Sequence, residues 1–146
     1  MRNLLSGILL LGILIVLGFN YSSNTISINL HIQRVKNARA PIRIAMYRSI
    51  DKFPKENGYY KAFVFTPNAT GEVQYTIQEV EPGDYAFAFF QDLNANGKLG
   101  TNIFGYPNEP FCFSNNVKPL FSAPDFSDCK MSLNAQNKDV FVRLIH

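Results

Sequence analysis

The sequence predicts an all-β chain: a single seven- or eight-stranded β-sandwich behind an N-terminal signal or anchor helix. Three observations predict it. Stretches of alternating apolar and polar residues recur from Thr25 to Ile145, which is the pattern of half-buried strands. Turn signals built on Pro, Gly, Asn and Asp separate these stretches. No amphipathic helical pattern of useful length appears after residue 19. The 146 residues, 47% hydrophobic and 17% charged, suit one domain with a modest core and argue against disorder.

Arg2, near the start, is followed by an uncharged run, Leu4 to Phe19. As a helix at about 1.5 Å per residue the run would span about 24 Å, short of a bilayer core about 30 Å thick. That length suits the core of a signal peptide. Val16 and Gly18 are small enough to sit three and one residues before a cut after Gly18. Residues 1–19 are therefore expected to be a cleaved signal or a retained anchor. Either places the domain, residues 25–146, outside the cytoplasm, in the periplasm or the extracellular space. Membrane contact is expected only through an uncleaved N-terminal segment.

Seven strands follow in order. TISINLHIQRV puts Ile26, Ile28, Leu30 and Ile32 on one face. PIRIAMYR does the same with Ile42, Ile44 and Met46, and YKAFVFT is rich in strand formers. PNATGE is a turn, and VQYTIQEV alternates through Val73, Tyr75 and Ile77 before shifting phase at Val80. The turn EPGD leads to YAFAFFQD, with Tyr85, Phe87 and Phe89 on one face and Ala86 and Ala88 on the other. The small face predicts close packing against a neighbour. After a long loop, CKMSL and DVFVRLI are separated by the polar turn NAQNK.

Charge is unevenly spread. From Arg34 to Lys55 there are seven basic residues against Asp51 alone. One reading is a basic face for an anionic glycan or lipid surface; the other is edge protection for the sheets. The net charge of +3 is too small to point to nucleic acid.

Motifs for catalysis are scarce. His31 falls on the polar face of the first strand and His146 is at the end of the sequence, so neither reads as an activated base. No zinc-spaced set, phosphate loop or nucleophile elbow is present. Asp92 and Glu109 share the long loop and could do acid–base work only if burial raised one of them. The expectation is a protein that is not an enzyme and needs no cofactor.

The loop DLNANGKLGTN is the most distinctive stretch. Asp92, Asn94 and Asn96 at alternate positions before Gly97 form the front half of a calcium loop. Ile103 stands where a bidentate Glu should close it. Such a site would bind calcium weakly, at about 10⁻⁴–10⁻³ M, unless Asp84, Asn102 or Glu109 completes it. The other reading is structural: Asp92 accepts from backbone N–H groups of its own loop, and Gly97 supplies a left-handed turn. The segment after the loop carries Tyr106, Phe111 and Phe113 among six aromatics and four prolines. It reads either as an aromatic platform for a sugar or peptide, or as a satellite core under a long loop. Cys112 and Cys129 enclose 16 residues; a disulfide there would contribute about 3 kcal/mol, and an exported compartment favours it.

The stretch PGDYAFAFFQDLNANGKLGTNIFGYPNEPFCFSNN, followed by APDFSDCKMSL, resembles the signature of domain of unknown function 2141, a family of exported bacterial proteins. Asp92, Gly97, Gly105, Pro107, Glu109, Ser114, Asn115, Asn116 and Phe126 occupy motif positions. The resemblance implies a sandwich related to transthyretin-like, or prealbumin-like, modules and implies no activity. Cys112 and Cys129 stand where the family pattern usually has Gly and often Ala, which strengthens the expectation of a bridge. Gln91 stands where His is common, which weakens a catalytic reading of the loop. The function expected is a binding or structural module of the cell envelope or extracellular space, with calcium-dependent ligand or glycan binding through the Asp92 loop as the alternative.

Overall fold

The computed structural model describes residues 24–146. The expected signal or anchor segment, residues 1–19, lies outside the described residues.

The chain is mostly β, in two sheets. Its strands are β1 (Ile26–Val35), β2 (Ile42–Tyr47), β3 (Lys61–Phe65), β4 (Gly71–Val80), β5 (Gly83–Gln91), β6 (Phe111–Phe113), β7 (Met131–Leu133) and β8 (Asp139–Arg143), with a single turn of helix, α1 (Phe126–Cys129), before β7. One sheet has the order β4-β1-β8; the other runs β3-β2-β5-β6, with β7 also pairing on β5. All pairs are antiparallel except β1 with β8.

The alternation read from the sequence decides which residues go inside. Ile28, Leu30 and Ile32 of β1 meet Ile42, Ile44 and Met46 of β2 and Phe87 and Phe89 of β5 in one core, all within 2% of full burial. Burying each such side chain stabilises the fold by about 1.5–3 kcal/mol. The phase shift near Val80 is a β-bulge. Ile26 pairs with Val80 while Ile28 pairs with Ile77, and Glu79 takes a left-handed φ of 57° to absorb the extra residue.

Strand β6 was not legible as a strand, because three residues are too few to show alternation. It is positioned by pairing: Ala88 with Phe113, Phe89 with Cys112 and Phe90 with Phe111. Its alternation sends Cys112 into the main core and Phe111 and Phe113 into a second cluster on the opposite face.

The expected disulfide is not shown by this geometry. Cys129 packs with Phe111 and Phe113 in a second cluster, whereas Cys112 belongs to the main core. The two side chains lie on opposite faces of the five-stranded sheet, and both cysteines are free. Burial pushes both thiols up, and with a smaller push from Asp128 the Cys129 thiol reaches about 12.

The second cluster covers only part of the outer face of the five-stranded sheet. Ala86 is fully buried there in the cluster that holds Cys129, as its small side chain predicts. Ala88, two residues on, is only half-buried and faces a cavity, so close packing does not extend along the whole face.

Candidate functional site

The loop after β5 is organised around two buried carboxylates. Asp92 is fully buried; its Oδ2 accepts from Arg43 Nε at 2.7 Å and from Gly97 N at 2.8 Å, and its Oδ1 from Asn96 N at 3.0 Å. Gly97 makes this turn with a φ of 82°. Burial pushes the Asp92 carboxyl up, but Arg43 and the two backbone donors outweigh it and hold its pKa below the ordinary value.

Glu109 pins the far side of the loop. Its Oε1 accepts from Leu93 N at 2.9 Å and its Oε2 from Gly100 N at 3.2 Å. Between them Asn102 Oδ1 accepts from Phe104 N and Tyr106 N, closing a small turn that carries Ile103 and Phe104 at its tip.

Asn94 and Asn96 serve their own turns: Asn94 Oδ1 accepts from Asn96 N and Asn96 Oδ1 from Lys98 N. Each member of the oxygen set Asp92, Asn94, Asn96 and Glu109 therefore already accepts from N–H groups. A cation at Asp92 would share its oxygens with Arg43 and the backbone donors.

The aromatic segment divides. Phe111 and Phe113 are buried in the second cluster with Phe53 and Phe126. Tyr106 sits edge-on to Phe111 with ring centres 5.6 Å apart and remains partly exposed. Phe104 and Phe121 project into solvent at 87% and 103% exposure, and Leu120 at 84%. Three large apolar side chains so exposed lie outside any core, and all three border one cavity.

That cavity, of about 840 Å3, lies on the outer face of the five-stranded sheet, within the range of about 300–1,000 Å3 typical of ligand sites. Strand register builds its floor. Ala45 pairs with Ala62 on one side and Ala88 on the other, so three alanines form a row across β3, β2 and β5. With strands about 4.8 Å apart, the row spans about 10 Å. Phe113 continues the row and walls it. Arg43, flanked by Val64 and Phe90, forms the next row at one end. Tyr47 closes the other end; burial, then Tyr59, Asp51 and Glu56, push its hydroxyl up to about 12.

The basic run does not act as one unit. Arg43 holds Asp92, and Arg48 bonds Asp51 and lies over the Tyr60 ring at 3.9 Å. Arg34 lines a separate small cleft with Lys118 and Arg143. His31 stacks on Phe141 with its Nε2 3.3 Å from Asp139. Burial, Lys36 and Arg34 push the His146 imidazole down.

The remaining signature residues are staples. Ser114 Oγ accepts from Phe87 N at 2.9 Å and donates to Cys129 O at 2.6 Å. Asn115 Nδ2 donates to Asp128 O and Lys130 O, with a left-handed φ of 59°. Asn116 lies along β8, donating to Phe141 O and accepting from Arg143 N. Buried Gln91 ties down the link after β1 through Lys36 N and Asn37 O.

A family model described as an uncharacterized protein conserved in bacteria, DUF2141, matches residues 30–140. The chain belongs to the DUF2141 family. In this DUF2141 chain the resembling motif positions Asp92, Glu109, Ser114, Asn115 and Asn116 all have structural partners. No curated protein and no solved structure matches the chain.

The sequence did not reveal Arg43 or the alanine row as site residues. Each alanine sits at an outward position in its own strand, but only strand pairing brings the three side by side.

Proposed function

We propose that this DUF2141 chain is an exported, non-enzymatic β-sandwich module that binds an apolar ligand on the outer face of its five-stranded sheet. The observation that carries the reading is the row Ala62, Ala45, Ala88 flooring a cavity rimmed by exposed Phe104, Leu120 and Phe121. Small side chains on a sheet face leave room, and large apolar side chains at its rim supply contacts that solvent does not favour.

The sandwich reading is supported by the core that both sheets share. Kinship with prealbumin-like modules rests on the sequence resemblance alone. Export, to the periplasm or beyond the cell, rests on the apolar run Leu4 to Phe19. The non-enzymatic reading is supported by Asp92 and Glu109: both carboxylates accept from backbone donors, which leaves them poorly placed to take a proton from a substrate. Calcium-dependent binding through the Asp92 loop is the second reading.

Nile red, an uncharged apolar dye, tests the site. Wild type should bind it saturably at one site, and Ala45→Leu, which fills the floor, should abolish that binding while leaving the melting temperature close to wild type. Equal dye binding by wild type and a folded Ala45→Leu protein would contradict the site.

A further inference from the structure

The two ends of the trough differ electrically. At one end Arg43 is held by Asp92 through Nε alone. Its terminal nitrogens have no protein acceptor among the described residues, its side chain is 31% exposed, and it borders the cavity. Gly97 also lies against the guanidinium: a Cβ built there would be 3.4 Å from Nη2. The fork is thus clamped by a carboxylate and a backbone turn, with its outer edge free. A guanidinium so fixed suits a planar two-oxygen acceptor, because little side-chain freedom remains to be lost on binding.

At the other end stand Tyr47 and, beside it, Glu56, which also borders the cavity. An anion is disfavoured there. Tyr47 lies four positions beyond Arg43 along β2, about 13 Å at about 3.3 Å per residue. Between them the floor is alanine and the rim is aromatic and aliphatic.

We propose that the ligand of this trough is an amphipathic monoanion, a medium-length acyl or aryl carboxylate. Its head accepts from the terminal nitrogens of Arg43, and its apolar body lies over Ala45 and Ala88 toward Tyr47. The inference rests on the trough being the binding site, and it adds the ligand's class and its direction. Asp92 is a positioning residue here: it orients the guanidinium and shares its own charge among three donors, so the paired arginine still presents two terminal nitrogens.

Calorimetric titration of the full chain with decanoate, decanol and decyltrimethylammonium, each below its micelle concentration, tests it. Decanoate should bind about tenfold tighter than decanol, as a charge-assisted hydrogen bond predicts, and the cation should bind weakest. Arg43→Met should bring decanoate down to the level of decanol and leave decanol unchanged. Because that variant strips Asp92 of a partner, Arg43→Lys serves beside it: a lysine keeps the charge near Asp92 but loses the two-pronged contact, so decanoate should weaken in a protein that still folds. Decanol binding as tightly as decanoate to wild type overturns the head-group assignment and leaves the trough standing. If neither compound nor Nile red binds, the trough itself is refuted.

Discussion

Arg43 donates its Nε proton to Asp92 Oδ2 across 2.7 Å, so that the start of β2 and the turn after β5 share one fully buried carboxylate. The Asp92 pKa is held below its ordinary value of 3.8 in the folded chain. A depressed carboxyl stabilises the fold in full above the unfolded pKa, and the contribution is lost as pH falls through the folded pKa. Asp92→Asn should therefore be less stable than wild type near neutral pH, by about 1–3 kcal/mol, and the gap should narrow as the pH is lowered below the ordinary carboxyl range, through the depressed folded pKa. Urea unfolding at neutral and acid pH measures it; a gap that persists in acid would mean that packing, not charge, sets the effect.

Calcium should leave the melting temperature of wild type unchanged, because Asp92, Asn94, Asn96 and Glu109 already accept from N–H groups. A bound ion at about a hundred times its dissociation constant would add about 2.7 kcal/mol. A calcium-dependent rise in wild type that disappears in Asp92→Ala would restore the metal reading.

Reductant should not change the melting temperature either. Cys112 and Cys129 lie on opposite faces of the five-stranded sheet, and their buried thiols resist ionisation. Iodoacetamide should label neither until the chain is unfolded. A drop in melting temperature with reductant, or a linked peptide by mass spectrometry, would show a bridge after all.

Much of this fold was legible because a half-buried strand writes its inside face into every second residue. Ile28, Leu30 and Ile32 are the clearest case, and the misphased Val80 even announced the bulge at Glu79. Asp92 and Gly97 were legible as a turn because Asx side chains and left-handed glycine have local signatures. Pairing across strands was not legible. The row of Ala62, Ala45 and Ala88 exists only through register, and Cys112 and Cys129 sat at a bridgeable sequence spacing that says nothing about sheet faces. Arg43 read as one of seven basic residues; its partner lies 49 positions away.

Ser114→Ala should destabilise by about 1–3 kcal/mol for a buried group left unpaired, since Phe87 N and Cys129 O both lose their partner. The free thiol next to that carbonyl should then become reactive to iodoacetamide at lower denaturant than in wild type. Denaturant titration with thiol labelling reads both; a variant as stable as wild type would mean that water replaces the hydroxyl.

The central claim is that the outer face of the five-stranded sheet takes a ligand. Chemical-shift mapping of backbone amides during titration with decanoate tests it most directly. The account predicts saturable shifts at Arg43, Ala45, Ala62, Ala88 and the turn carrying Phe104, with β1, β4 and β8 unmoved. Shifts confined to β1, β4 and β8, or none at all, would contradict it.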